Sequence, residues 1–219
     1  MGIEERKAKE RQQRIDMILD AATRVIMDNG IENATMEEIA SAAELGKATI
    51  YNYFASKQLL LLGLDLRGTK KEEEGFRRAY EEGRSGLDRT LKIGHFYFDH
   101  AMESPVYFQA KVQLGRMDVK VFAPLSDDPM VNEYMQAVQR IHRILADAIA
   151  DGINDGTIRS NIHPQKMSLL LWCQSNGVIE LIQNRGELVL AVQGITVEQI
   201  RDSFFRALEC QLAATALNQ

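Results

Sequence analysis

The sequence predicts an all-α protein in which a small N-terminal domain of three helices precedes a larger helical body. Residues that favour helices are abundant, and only 4 of the 219 residues are proline. Apolar residues recur at helical spacing, with few alternating runs. Capping residues, glycines and prolines divide the chain into segments of helical length. A hydrophobic content of 45% is sufficient for a substantial core.

Composition and charge restrict the class of protein. Two cysteines, Cys173 and Cys210, lie far from any paired spacing, which suits a reducing cytosol. No charged and apolar leader opens the chain, and the longest apolar run, LLLLGL at 59–64, is too short to span a bilayer. We therefore expect a cytoplasmic protein with no membrane partner.

The whole chain is acidic, with a net charge of −5. Any positively charged surface must therefore come from a local cluster of Lys and Arg. Residues 1–60 hold 8 Lys and Arg against 10 Asp and Glu, yet the segment EERKAKERQQR at 4–14 concentrates five cations. A flexible basic arm of this kind can reach DNA phosphates or a minor groove. A solvated, frayed terminus explains the same pattern equally well.

One long helix and two short ones are predicted at the N-terminus. The first runs from about residue 9 to Asn29, and Gly30 ends it. The second opens at Thr35, which forms a capping box with Glu38. After a tight bend at 44–46, KATIYNYF forms the third. Two short helices joined by such a bend are typical of a helix-turn-helix, whose second helix lies in the major groove of DNA.

The third helix has two different faces. At about 100° per residue, Ile50 and Phe54 share one side and are predicted to be buried. Ala48, Thr49 and Asn52 then point away from the core. An amide, a hydroxyl and a methyl group together suit the edges of base pairs. This side is therefore the predicted DNA-reading face.

Two tyrosines and two lysines flank that face. Tyr51 and Tyr53 fall on opposite flanks, so that each ring can pack on protein while its hydroxyl reaches a phosphate. Lys47 and Lys57 supply cations at either end, although the helical angle places Lys47 near the inward side. Its stem is therefore expected to swing outward.

These residues carry a resemblance to a known family. The segment from Arg14 to Leu60, and KATIYNYFASK most of all, resembles the DNA-binding domain of the tetracycline-repressor (TetR) family of bacterial transcriptional regulators. The resemblance implies a homodimer whose two recognition helices enter successive major grooves of a double-stranded operator. The predicted DNA-binding residues are Thr35, Lys47, Ala48, Thr49, Tyr51, Asn52, Tyr53 and Lys57.

Two positions in the turn depart from the family pattern. Glu44 stands where the family usually has glycine, and Gly46 stands where it usually has serine. We expect the displaced glycine to provide the permissive backbone for the turn. Glu44 also places a negative charge near phosphates.

Beyond Ser56, the predicted N-cap of the next helix, the chain forms a body. The predicted domains are accordingly 1–56 for DNA binding and 57–219 for effector binding and dimerisation. A second capping box joins Thr196 to Gln199. The predicted helices of the body span 57–82, 87–103, 105–120, 129–155, 164–185 and 196–217, with the loop APLSDDP before the fourth.

The body holds a pocket for a small, largely apolar molecule, as the resemblance implies. Candidate lining residues are the histidines, rings and amide on its apolar stripes: His95, Phe98, Met102, Phe108, Tyr134, His142, Trp172 and Asn176. Ordinary core packing explains each of these residues as well, with each histidine bonded to a neighbouring carbonyl, because pockets and cores share composition.

The last two helices present wide apolar faces, which the resemblance assigns to a four-helix dimer interface. A dimer fixes the distance between recognition helices, which must match about 34–36 Å of duplex. An effector that binds only the wrongly spaced form then lowers DNA affinity. The function expected is a ligand-responsive regulator, and specifically a repressor.

Two other classes remain as alternatives. A metal-dependent helical hydrolase is disfavoured because His95 and His100 are five apart, and no HExxH pattern or glycine-rich phosphate loop occurs. We accordingly expect no enzyme, metal or cofactor. A regulator controlled by a protein partner is the second alternative, and a body without a cavity would favour it.

Overall fold

The computed structural model describes residues 2–117 and 128–214. Within these ranges the chain is helical and contains no strand, with one isolated antiparallel bridge between Ile158 and Ala213. The all-α prediction is confirmed. The helices are α1 (Ile3–Asn29), α2 (Met36–Ala42), α3 (Lys47–Tyr53), α4 (Lys57–Glu82), α5 (Gly86–Glu103), α6 (Pro105–Gly115), α7 (Pro129–Asn154), α8 (Pro164–Val192) and α9 (Val197–Leu212).

Most helix ends lie close to the predicted positions, and α4 coincides with the predicted 57–82. The basic segment 4–14 was predicted as a flexible arm or a frayed end, and it is instead part of α1. Its Glu, Lys, Arg and Gln residues are good helix formers and continue the helix without an apolar stripe. The helices predicted at 105–120 and 196–217 end earlier, at Gly115 and Leu212. Residues 118–127, which hold most of the APLSDDP loop, lie outside the described residues, as do 215–219.

The chain packs as two compact units. Unit 1 comprises Met1–Gly68 with Val106–Tyr134, and unit 2 comprises Thr69–Pro105 with Met135–Gln219. Unit 1 contains the predicted DNA-binding segment 1–56 together with the start of α4, α6 and the start of α7. The division of function at residue 56 stays a prediction.

The core of unit 1 holds α3 in place. Four fully buried side chains form its centre. They are Ile18 of α1, Ile39 of α2, Ile50 of α3, and Phe54 at the C-terminal end of α3. A Cβ placed on Gly63 of α4 would lie 2.9 Å from the Phe54 ring. The absence of a side chain at that glycine therefore lets α4 close over the ring, which fixes the inward face of α3.

Unit 2 is built on close helix contacts. A Cβ on Gly86, the first residue of α5, would lie 1.9 Å from the backbone nitrogen of Gly152 in α7. Beside this contact, Asp151 accepts hydrogen bonds from Tyr80 at 2.6 Å and from Arg89 at 2.5 Å. In the described parts of the chain, no helix combines the length and hydropathy needed to cross a membrane.

Candidate nucleic-acid interface

The capping box at the start of α2 is formed as predicted. The Thr35 hydroxyl accepts from the Glu38 amide at 3.2 Å, and the Glu38 carboxylate accepts from the Thr35 amide at 2.9 Å. The Thr35 hydroxyl also donates to that carboxylate at 2.8 Å, and the side-chain bond lowers the pKa of Glu38. Both donors of Thr35 are thus used within the cap, so a phosphate contact by Thr35 would have to replace Glu38.

The turn between α2 and α3 contains one residue in the left-handed region. That residue is Glu44 and not Gly46. Glu44 has φ 56°, while Gly46 has φ −70° and ψ 151° as the extended N-cap of α3. The amide of Leu45 donates to the Ala40 carbonyl at 2.8 Å, and that of Glu44 to Ser41 at 3.0 Å. This is a Schellman motif with a glutamate at the position that usually holds glycine. The expectation that the displaced glycine relaxes the turn is therefore wrong.

The two faces of α3 are arranged as the helical angles predict. Ile50 and Phe54 have no exposed surface, whereas Ala48, Tyr51 and Asn52 are exposed. Tyr51 keeps 38% of its surface exposed. Thr49 is half-buried beside them. The methyl, phenol and amide groups thus form one continuous outward surface on a helix that the core fixes from behind.

Lys47 is exposed rather than inward. Its side chain retains 66% of its surface and forms an ion pair with Glu37 of α2, with 2.5 Å between Nζ and Oε1. The predicted outward swing is unnecessary because the side chain already lies on the surface. Its partner, however, is a carboxylate of the same domain.

Tyr53 and Lys57 lie at the edges of the outward surface. Tyr53 is half-buried against the unit 1 core. The Lys57 ammonium donates to the Glu32 carbonyl at 3.0 Å. Partial burial lowers the pKa of Lys57, against the opposing effect of nearby Glu32 and Glu38. An ammonium group has three protons, so Lys57 keeps donors for a phosphate beyond this bond.

A second candidate site is a small apolar cavity within unit 2. Its volume is about 30 Å³, which is room for one or two water molecules and not for a drug-sized ligand. Two of the eight candidate residues, His142 and Trp172, line it. His142 Nδ1 lies 3.1 Å from the hydroxyl of buried Ser168.

The structure does not gather the other pocket candidates in that cavity. Phe108 is buried and Tyr134 half-buried within unit 1, where α6 and α7 place them.

The remaining four candidates belong to unit 2 and have other surroundings. The His95 ring stacks on Phe205 with centroids 3.7 Å apart, and burial lowers its pKa. Phe98 is buried, Met102 is 36% exposed, and Asn176 accepts a hydrogen bond from Tyr97 at 2.5 Å. A helical stripe alone could not separate these positions, because cavity walls and core have the same spacing.

Sequence reasoning missed residues at both sites. In the cavity, Tyr97 and Ser175 supply polar groups on a wall that is otherwise mostly apolar. In unit 1, Arg11 lies over the Tyr53 ring, 5.3 Å from its centroid. Continuing the helical phase of α1 back through residues 4–14 would have placed Arg11 on the same side as Arg14, and the signal was therefore present.

The comparisons with known proteins agree with this arrangement. The family model for bacterial regulatory proteins of the tetR family matches residues 18–64. The chain is 27% identical over 94 residues to the helix-turn-helix-type transcriptional regulator YobS of Bacillus subtilis, covering 43% of this chain and 49% of YobS, so that it spans about half of that relative. It is 25% identical over 172 residues to the regulator UidR of Escherichia coli K12, covering 76% of this chain and 80% of UidR.

A solved structure shares the fold. The crystal structure of the transcriptional regulator FadR from Bacillus subtilis in complex with stearoyl-CoA aligns with a TM-score of 0.67 at 17% identity, covering 89% of this chain and 97% of FadR. The described helices, the matched segment and the related regulators agree with one another. Residues 18–64 match the family of bacterial regulatory proteins named tetR, and the chain as a whole is similar to helix-turn-helix transcriptional regulators and shares the fold of one of them.

Proposed function

We propose that the protein is a cytoplasmic repressor that binds a palindromic operator as a homodimer and is released by a small, largely apolar effector. The observation that carries the proposal is the two-faced recognition helix α3. Its inner side is anchored by Ile50 and Phe54, and its outer side presents Ala48, Tyr51 and Asn52. A helix that is rigidly held from behind can place these groups in a major groove.

The chemistry of the outer side suits direct reading of bases. The Asn52 amide can donate and accept in a bidentate contact with adenine, and the Ala48 methyl can pack on a thymine methyl. The hydroxyl groups of Thr49, Tyr51 and Tyr53 are suited to phosphates or base edges. Because the chain is acidic overall, attraction to DNA depends on the local cations Lys47 and Lys57.

A homodimer is supported by apolar surface on and after α8. Leu188 and Val192 expose 72% and 74% of their surface, and Leu169 and Leu170 expose about half. Large apolar side chains that share a helix and remain uncovered are typical of an interface. A second copy seated there would give the two-fold symmetry that a palindromic operator requires.

An apolar effector is supported by the lining of the unit 2 cavity. Rings of Phe76, Tyr97 and Trp172 line it, and His142 and Ser175 provide few polar contacts. Its volume of about 30 Å³ implies that the effector enlarges it and so selects an expanded form of unit 2. FadR, which shares the fold, was crystallised with stearoyl-CoA, a ligand with a long apolar chain.

The small volume also favours a second candidate, in which a protein partner controls the regulator. Native mass spectrometry of the purified full-length protein separates the two. A retained small molecule of defined mass supports the effector, whereas its absence, together with an unchanged melting temperature across an apolar ligand library, supports the partner.

The DNA-binding proposal is tested with a duplex that the wild-type protein selects from a random-sequence library. Asn52→Ala is expected to weaken binding about 10- to 100-fold, since a bidentate base contact contributes roughly 1–3 kcal/mol. Tyr51→Ala is expected to weaken it as well, with the melting temperature of both variants unchanged. Gln174→Ala, an exposed amide on α8, is the control. Unchanged affinity in both α3 variants would refute the proposed face.

A further inference from the structure

The first turns of α1 border an open groove that also touches the recognition helix. The groove has a volume of about 470 Å³, and its walls include Lys7, Arg11 and Arg14 of α1 and Tyr53 of α3. Since α1 begins at Ile3, these cations lie on a formed helix. The groove lies entirely within unit 1, which also contains the DNA-reading face.

Helical spacing brings the three cations to one side of α1. Positions 7, 11 and 14 are four and three residues apart, so their side chains are neighbours along one face. Glu10 is the acidic residue of the groove wall, which leaves an excess of positive charge there. The Arg11 guanidinium lies over the Tyr53 ring, 5.3 Å from its centroid. The half-buried tyrosine thus positions the guanidinium beside α3.

We infer that this groove binds the sugar-phosphate backbone of the operator outside the bases that α3 reads. The inference rests on the proposed DNA binding and adds a second contact region to each half-site. A guanidinium can hold two phosphate oxygens at once, which makes Arg11 and Arg14 the principal groups. Tyr53 connects the groove to α3, because it belongs to that helix and its ring supports Arg11.

A phosphate backbone fits the groove better than a small anion does. The groove is open along a row of cations instead of closing around one of them, which matches an extended chain of charges. The cations are also held on a helix before binding, so that little ordering is needed when DNA arrives. With two arginines per protomer, a dimer gains about four phosphate contacts. These contacts steepen the slope of log affinity against log salt concentration by roughly 3–4 units.

The experiment compares two duplexes and two matched variants of the full-length protein. The short duplex ends at the outermost bases of the palindrome that the wild-type protein selects, and the long one extends about half a helical turn, roughly five base pairs, at each end. Arg11→Ala/Arg14→Ala removes two groove cations. Arg6→Ala/Lys9→Ala removes two cations of the same helix that do not line the groove. Alanine preserves the helix in both.

The expected result is specific to one variant and one duplex. On the long duplex, Arg11→Ala/Arg14→Ala weakens binding roughly tenfold or more and flattens the slope of log affinity against log salt by roughly 3–4 units. On the short duplex the same variant binds with the affinity and the salt dependence of the wild type. Tyr53→Phe keeps the ring that supports Arg11 and is expected to retain most of the advantage of the long duplex.

Two outcomes would overturn the inference, and they are distinguishable. In the first outcome, the wild type selects a duplex, but both double variants lose affinity by the same factor on the short and the long duplex. The groove then does not bind flanking phosphates, while the proposed function stands. If the wild type selects no duplex at all, the proposed function fails, and the inference fails with it.

Discussion

The Lys47 ammonium at the start of α3 lies 2.5 Å from a carboxylate oxygen of Glu37 in α2. Their hydrogen bond raises the pKa of Lys47 and lowers that of Glu37, so both groups are charged at neutral pH. Both side chains are more than half exposed, and the pair therefore contributes little to folding. The ion pair matters for DNA binding instead, because a DNA phosphate must compete with Glu37 for Lys47.

The substitution Glu37→Gln is expected to increase operator affinity several-fold. The change releases Lys47 and removes a negative charge that repels phosphates. The melting temperature should stay near that of the wild type. Fluorescence anisotropy at two salt concentrations measures the effect, and Glu81→Gln on α4, an exposed carboxylate of unit 2, controls for net charge. Equal gains in both variants would show that the gain is a general charge effect and not release of Lys47.

The turn before α3 stores a small amount of backbone strain at Glu44. A residue with a Cβ in the left-handed region costs roughly 1 kcal/mol relative to glycine. The same Schellman geometry ends α8, where Gly194 has φ 65° and the Ile195 amide donates to the Leu190 carbonyl at 2.9 Å. One chain thus contains the motif with its usual residue and with an unusual one.

Glu44→Gly is therefore expected to raise the free energy of unfolding by roughly 0.5–1 kcal/mol. Chemical denaturation of the full-length protein measures it. Gly194→Glu, the reciprocal change in the same motif, should lower the free energy by a similar amount. If Glu44→Gly destabilises the protein, contacts of the glutamate side chain outweigh the backbone cost and the strain argument fails.

Local signals predicted the local structure well. Both capping boxes and the two ends of α4 follow from residues within a few positions, and the structure confirms them. The end of α8 could not be predicted this way. A stop near residue 185 was expected, yet the helix continues through buried Gly186 to Val192. Gly186 is buried in the helix, and tertiary context can override the low helix propensity of a single glycine.

Long-range signals failed where composition is ambiguous. Tyr134 and Trp172 are both large rings on apolar stripes, yet one packs against the unit 1 core and the other lines the unit 2 cavity. Stripe periodicity identifies the inward face of a helix but not what that face meets. The outward face of α3 was predictable because α3 is anchored by two residues, Ile50 and Phe54, at a spacing that leaves one outward side.

Disrupting the proposed dimer interface should separate oligomeric state from folding. Leu188→Lys places a charge in the middle of an exposed apolar stretch of α8 and should yield monomers, because an unpaired lysine is costly to bury. Sedimentation equilibrium measures the state, and circular dichroism confirms the helices. Met27→Lys, at a residue of α1 with 68% exposure, is the control. A Leu188→Lys protein that remains dimeric would place the interface elsewhere.

Filling the unit 2 cavity should uncouple the effector from DNA release. Ser175 is 6% exposed and lines the cavity, so Ser175→Leu adds apolar volume to a space of about 30 Å³. Overpacking is expected to cost roughly 1–3 kcal/mol of stability. Operator affinity without effector is measured in parallel, because the added side chain would lower it if expansion of unit 2 alone releases DNA. The concentration of a co-purified or screened apolar effector that releases half of the DNA should rise at least tenfold. The adjacent variant Gln174→Leu places the same new side chain at an exposed position outside the cavity and should respond as the wild type does. An equally sensitive Ser175→Leu protein would show that the effector binds elsewhere, because a ligand cannot select an expanded cavity whose space a side chain already fills.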